Sequence, residues 1–117
     1  MRHIESKLQQ ACVQWFRAQY PKYARLLIAV PNGGYRNARE AGRMKSEGVV
    51  SGVADMLLLI PKGPYGCLGI EFKTGKGKQS ELQFEWQNDF HSVGNVYMIV
   101  RCFESFVELI NSYLEMK

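Results

Sequence analysis

The chain has 117 residues, a formal net charge of +4, 46% hydrophobic residues and 22% charged residues. That is the size of one domain with enough apolar material for a single core, and the absence of any long block of one charge sign excludes a wholly disordered chain. The mild basic excess fits a polyanionic partner without requiring one.

Cys12, Cys67 and Cys102 lie far apart, without a CxxC pair, and His3 and His91 are the histidines available. A zinc site or a disulfide scaffold is not expected; the thiols read as buried and free in a reducing compartment. The first residues carry no apolar signal segment, and runs such as 56–60 are too short to span a bilayer. The expectation is a soluble, cytoplasmic protein with no membrane partner.

Residues 4–20 place Ile4, Leu8, Ala11, Cys12, Trp15 and Phe16 at helical spacing, with Lys7, Gln10, Gln14 and Arg17 on the opposite face and Pro21 as the stop. Residues 26–30 form a short apolar run ended by Pro31-Asn32-Gly33-Gly34, a strong turn signal. Residues 37–47 are polar and helix-compatible. Glycine-punctuated residues 48–54 then lead into a strand over 55–60, a turn over 61–66 and a second strand over 67–73, together a hairpin. Thr74-Gly75-Lys76-Gly77-Lys78 is a basic loop. A helix opens at Ser80, with Leu82, Trp86, Phe90 and Val93 on one face, and Gly94-Asn95 stops it. Residues 96–100 form a last strand, and residues 103–116 a last amphipathic helix with Phe106, Val107, Ile110 and Leu114 as its stripe. The order αβαββαβα predicts one α/β domain over residues 1–117, with a central mixed β-sheet flanked by helices.

The chemically informative stretch is Gly52-x-x-Asp55 followed by Glu71-Phe72-Lys73. Glu71 and Lys73 are two apart on one strand and share a face. A turn centred near residues 63 and 64 sets Asp55 opposite about Phe72, within one residue of Glu71. A one-residue bulge, or twist alone, would then bring Asp55 onto the same face. Two carboxylates at close range suit a hard divalent cation such as Mg²⁺, with the Phe72 carbonyl as a further oxygen. Such an ion polarises a phosphodiester and acidifies a water, and a neighbouring lysine offsets charge on the phosphate. An ExK triplet alone is common on exposed strands. The ordered set is less common: a glycine-led Asp, an apolar strand, a turn, ExK and a basic loop.

That ordered set resembles the PD-(D/E)xK nuclease superfamily, with Ala54-Asp55 in the "PD" place and Glu71-Phe72-Lys73 as ExK. More narrowly, the chain resembles stand-alone VRR-NUC domains of phages and bacteria. The further matching features are Glu5 in an early helix, Pro31-Asn32-Gly33 after the first strand, residues 48–52 leading into Asp55-Met56-Leu57, Thr74 after the ExK, and Ser80-x-x-Gln83 opening a helix. The resemblance implies a restriction-endonuclease-like core and metal-dependent DNA cleavage. It implies Asp55 and Glu71 as metal ligands, Lys73 as the catalytic lysine, Gln83 as a glutamine beside that lysine, and Glu5 as an acid completing the metal shell, with Mn²⁺ expected to substitute for Mg²⁺. It further implies cutting of branched DNA such as four-way (Holliday) junctions by a symmetric homodimer. Flap-cutting or restriction-like cleavage, and a non-catalytic DNA-binding module keeping the fold, are the alternatives. Asn32, Arg36, Arg39, Arg43, Lys76 and Lys78 are the candidate DNA-backbone contacts.

Overall fold

A computed structural model describes residues 2–31 and 37–117. Its element order matches the one read from periodicity: α1 (Arg2–Gln19), β1 (Leu27–Ala29), α2 (Ala38–Ser46), β2 (Met56–Leu58), β3 (Leu68–Phe72), α3 (Glu81–Ser92), β4 (Val96–Val100) and α4 (Phe103–Glu115). A 3₁₀ turn over Pro21–Leu26 joins α1 to β1, its start fixed by the proline that cannot continue the helix. The sheet order is β1-β2-β3-β4; β1/β2 and β2/β3 are antiparallel, and β3/β4 are parallel.

Strand β3 is buried throughout, and its alternation divides the molecule. Leu68, Ile70 and Phe72 join Cys12 and Phe16 of α1 and Phe106, Ile110 and Tyr113 of α4 in one apolar cluster. Phe72 stacks on Phe106, and Trp15 meets Phe103 and Phe106 edge-on. The Tyr113 hydroxyl, buried with this cluster, donates to the Ile60 carbonyl at 2.6 Å, so no polar atom is stranded there. On the other face, the position of Gly69 abuts the Phe90 ring of α3, and Glu71 follows it.

The hairpin register differs from the predicted one by a residue, for a visible reason. The turn lies where expected: Lys62 and Tyr65 bridge each other through backbone bonds of 3.0 and 2.9 Å. Beyond it, Leu58 pairs with Leu68 and Met56 with Ile70. Residues 59–61 therefore face only residues 66–67, a bulge in one arm that Pro61, lacking an N–H, readily accommodates. Extended one residue past β2, this register sets Asp55 opposite Glu71 rather than Phe72.

Three expectations about burial are corrected. Ile4 is 59% exposed, so the apolar stripe of α1 begins at Leu8. Leu82 and Val93 are 55% and 75% exposed. α3 sits on the sheet through its middle turns, where Trp86 stacks on Phe90 at 4.5 Å, and its ends are left uncovered. Cys102 is exposed because it is the N-cap of α4, just past the end of β4; Cys12 is buried and Cys67 half-buried, and all three are free thiols.

Candidate active site

Asp55, Glu71 and Lys73 meet at the end of the β2/β3 pair. Asp55 precedes β2, and its backbone carbonyl accepts from Val30 N–H at 2.8 Å, which ties it to the end of β1. Its Oδ2 accepts from the Phe72 N–H at 2.8 Å, which pins the carboxylate to the end of β3. Gly52, at φ +88°, permits this approach. A Cβ there would lie 2.5 Å from the Leu82 carbonyl oxygen and 3.0 Å from the Gln83 nitrogen. The glycine thus seats the segment before Asp55 directly on the first turn of α3.

Glu71 is 2% exposed, the one buried charged residue among those described. Its Oε2 accepts from Gln83 Nε2 at 2.8 Å, and its Oε1 accepts from the Tyr97 hydroxyl at 3.2 Å. Lys73 Nζ is 4.0 Å from Oε2, the outer limit of ion pairing. Burial first, then the charge of Asp55 and its hydrogen bond, pushes Glu71 up to about 8. Asp55 is also raised, by burial first, against the opposing pull of the Phe72 N–H. The Asp55 charge thus opposes ionisation of Glu71, and the nearby Lys73 charge favours it.

Gln83 is held by the helix cap. Ser80 Oγ accepts from the Gln83 N–H, and Gln83 Oε1 accepts from the Ser80 N–H at 2.8 Å, a reciprocal capping box. With its oxygen committed to a backbone donor, the amide can present only its nitrogen to Glu71. Gln79 and Gln87, four residues to either side of Gln83, bond each other at 2.6 Å.

The acid pair lines a cleft of about 840 Å³ together with residues of α1, residues 29–31, Lys73 and Gln83. No sequence-family model matches the chain, and a search of curated proteins finds no match. A search of solved structures finds a "VRR_NUC domain protein" with a TM-score of 0.83, 22% identical, covering 96% of this chain and 88% of that one. The chain has the fold of a VRR-NUC domain. Its mixed sheet flanked by helices is accordingly the restriction-endonuclease-like core expected from the sequence.

On this VRR-NUC fold the remaining predicted residues are distributed unevenly. Glu5 lines the cleft and helps raise Asp55 through its charge, while its own Oε2 accepts from the Thr74 N–H at 3.3 Å. Among the described residues, no three or more His, Cys, Asp or Glu side chains gather as a metal-ligand group, so Glu5 is not brought together with Asp55 and Glu71. Phe72 lines the cleft beside them. Arg39 and Arg43 are exposed on α2, where Arg43 pairs with Glu47 at 3.1 Å. Lys76 and Lys78 are exposed on the loop after β3. Asn32 and Arg36 lie outside the described residues. No helix among the described residues is long and apolar enough to cross a membrane.

Tyr97 and Arg101 were not singled out in the sequence, and Ser80 was named there only as the opening of a helix. Tyr97, 4% exposed, anchors Glu71, and its own N–H donates to His91 Nε2 at 3.2 Å, which gives that histidine a structural task. Burial first, and the Glu71 charge after it, hold the Tyr97 phenol above its ordinary range. Arg101 braces the basic loop by donating to the carbonyls of Gly75 and Gly77 at 3.3 and 2.8 Å. Ser80 fixes the Gln83 amide. Tyr97 left a sequence signal, since a tyrosine in an apolar strand needs a partner for its hydroxyl, and Ser80 left one in its capping-box spacing to Gln83.

Proposed function

We propose that the chain is a Mg²⁺-dependent DNA endonuclease whose reacting centre is Asp55, Glu71 and Lys73. The observation that carries this reading is the buried Glu71 beside the half-buried Asp55, both lining the cleft with Lys73 next to them.

The donor set fits a hard cation. It consists of carboxylate oxygens with little access to water and with a raised affinity for protons, which a divalent ion would displace. Asp55 and Glu71 would hold the ion, with the Phe72 carbonyl as a third oxygen and Glu5 adding negative potential from the α1 wall. Mn²⁺, also oxygen-seeking, is expected to substitute. When bound, the ion supplies Lewis-acid polarisation of the phosphate and a more acidic water. The chain supplies the rest. Gln83 and Tyr97 hold the Glu71 carboxylate in one orientation, and the Phe72 N–H does the same for Asp55. Lys73 offsets charge on the phosphate as a water oxygen adds to phosphorus and the ester oxygen leaves.

We assign branched DNA, four-way junctions among them, as the substrate class and a symmetric homodimer as the acting form; both rest on the resemblance of the sequence to stand-alone VRR-NUC domains. Arg39, Arg43, Lys76 and Lys78 would track phosphates outside the cleft.

The test is cleavage of end-labelled duplex, flap and four-way-junction DNA with Mg²⁺, Mn²⁺ or EDTA, comparing wild type with Asp55→Asn and Lys73→Ala. The expected result is metal-dependent cutting, strongest on the junction, reduced by at least about 100-fold in either variant. Equal cutting by the variants, or cutting in EDTA, would remove the assigned centre. Sedimentation of a monomer at micromolar concentration on junction DNA would remove the dimer.

A further inference from the structure

Tyr97 and Tyr113 are both buried, and each hydroxyl hydrogen has to find an acceptor. Tyr113, on the dry face, takes a backbone carbonyl, that of Ile60. Tyr97 instead gives its hydrogen to Glu71 Oε1, a member of the acid pair. Its reach follows from the sheet. In the parallel β3/β4 register Tyr97 partners Gly69, and Glu71, two residues on, shares that face, so the phenol extends along the strands to meet it. The tyrosine is itself fixed from several sides. Val96 N–H points to β3, so the Tyr97 N–H points to the open edge of β4, where His91 Nε2 accepts it at 3.2 Å. Its ring meets Trp86 of α3 at 6.1 Å. The Gln79 side chain also hydrogen-bonds the phenol. With its one hydrogen given to Glu71, the phenol can only accept from Gln79.

We propose that Tyr97 is a positioning residue for the metal site: its hydroxyl, opposite the Gln83 amide, sets the Glu71 carboxylate in the orientation that receives a divalent cation. The proposal rests on the reading of Asp55 and Glu71 as metal ligands and adds the residue that aims one of them. A carboxylate has about four lone-pair sites, two on each oxygen. Tyr97 takes one on Oε1 and Gln83 takes one on Oε2, which leaves one on each oxygen for a cation. Rotating the carboxylate would break both bonds in a site that water scarcely reaches. Neither partner can turn to offer an acceptor in place of its donor. The Gln83 oxygen is committed to the Ser80 N–H, and the phenol oxygen to Gln79. Outer partners that fix a ligand in this way raise metal affinity, because the ligand loses no rotational freedom on binding. Asp55 is held by a backbone donor, the Phe72 N–H. Glu71 depends on side chains, so its hold can be removed by substitution.

Tyr97→Phe removes the hydroxyl and keeps the ring. Tyr113→Phe removes an equally buried hydroxyl from the apolar cluster on the other face, and serves as the matched control. The experiment titrates Mn²⁺ into the full chain by calorimetry for wild type and both variants, beside denaturant unfolding in EDTA. Tyr97→Phe is expected to weaken Mn²⁺ binding about 10- to 100-fold. Tyr113→Phe is expected to keep the wild-type Mn²⁺ affinity while losing stability, since it leaves the Ile60 carbonyl unpaired. A tyrosine with a structural role alone would lower stability and leave the affinity unchanged. Equal Mn²⁺ binding by Tyr97→Phe and wild type, or equal losses in the two variants, would overturn the role of Tyr97 alone. No Mn²⁺ binding by wild type would overturn the metal reading and this role with it. Mn²⁺ binding that falls in Tyr97→Phe, with no DNA cutting by wild type, keeps the positioning role and sinks the nuclease. Where wild type cuts, excess Mn²⁺ should restore the rate of Tyr97→Phe with KM for DNA unchanged. A defect that saturating Mn²⁺ leaves in place would overturn the role.

Discussion

The two faces of the sheet have been put to different uses. The face under α1 and α4 is dry and closely filled: Phe16, Phe106, Ile110, Leu68 and Ile70 are fully buried. The face under α3 carries the buried Glu71, the Tyr97 hydroxyl and an amide, beneath a helix whose apolar ends stand in solvent. One strand serves both, because successive residues of β3 point to opposite sides. The lesson is that stability and chemistry can be separated by single-residue alternation. The stabilising face can then be optimised for packing while the other retains two carboxyls that oppose each other.

This separation can be broken on purpose. The largest effect is expected on the dry face: Phe106→Ala should cost about 3–5 kcal/mol by removing a buried ring that stacks on Phe72 and meets Trp15. Denaturant unfolding measures it, and a loss under about 1 kcal/mol would show that the core is not closely packed there.

An intermediate effect is expected where the faces communicate. Gly52→Ala adds a methyl group against the Leu82 carbonyl at a positive φ, and should destabilise by about 1–3 kcal/mol. Because that contact also seats the first turn of α3, and with it Gln83, DNA cleavage under the proposed function should fall by more than the stability loss explains at 25 °C. Unchanged cleavage by folded Gly52→Ala would show that α3 does not depend on the glycine for its position.

The effect most diagnostic of the polar face concerns pH. A carboxyl raised from 4.5 to about 8 in the folded state contributes stability that is fully present below its unfolded value and is lost as pH rises through about 8. Glu71→Gln removes that titration while keeping a hydrogen-bonding side chain. In EDTA, the melting temperature of wild type should therefore drop relative to Glu71→Gln between pH 5 and pH 8.5. Parallel curves for the two proteins would mean that Glu71 is not held against its own ionisation.

Legibility from sequence followed the same division. The dry face was readable, since Leu8, Cys12, Phe16, Phe106 and Ile110 repeat at helical spacing and the order of elements emerged intact. The pairing of Glu71 with Lys73 was readable as well, because an i, i+2 spacing on a strand fixes a shared face. The alignment of Asp55 was not. The sequence left a one-residue bulge and twist alone as alternatives, and the structure has the bulge, at residues 59–61. Nor was the reach of Tyr97 from the neighbouring parallel strand, since a crossover through α3 sets that register.

The amino-acid sequence by itself determined which elements form, in what order, and that a carboxylate and a lysine lie on one side of β3. Those properties are periodic and local. Only the tertiary structure decided that Asp55 stands across from Glu71, that the cap of α3 turns the Gln83 amide toward them, and that the polar face of α1 becomes one wall of their cleft. Each of these depends on the distance between chain segments far apart in sequence, and the periodicity of one element carries no information about what faces it.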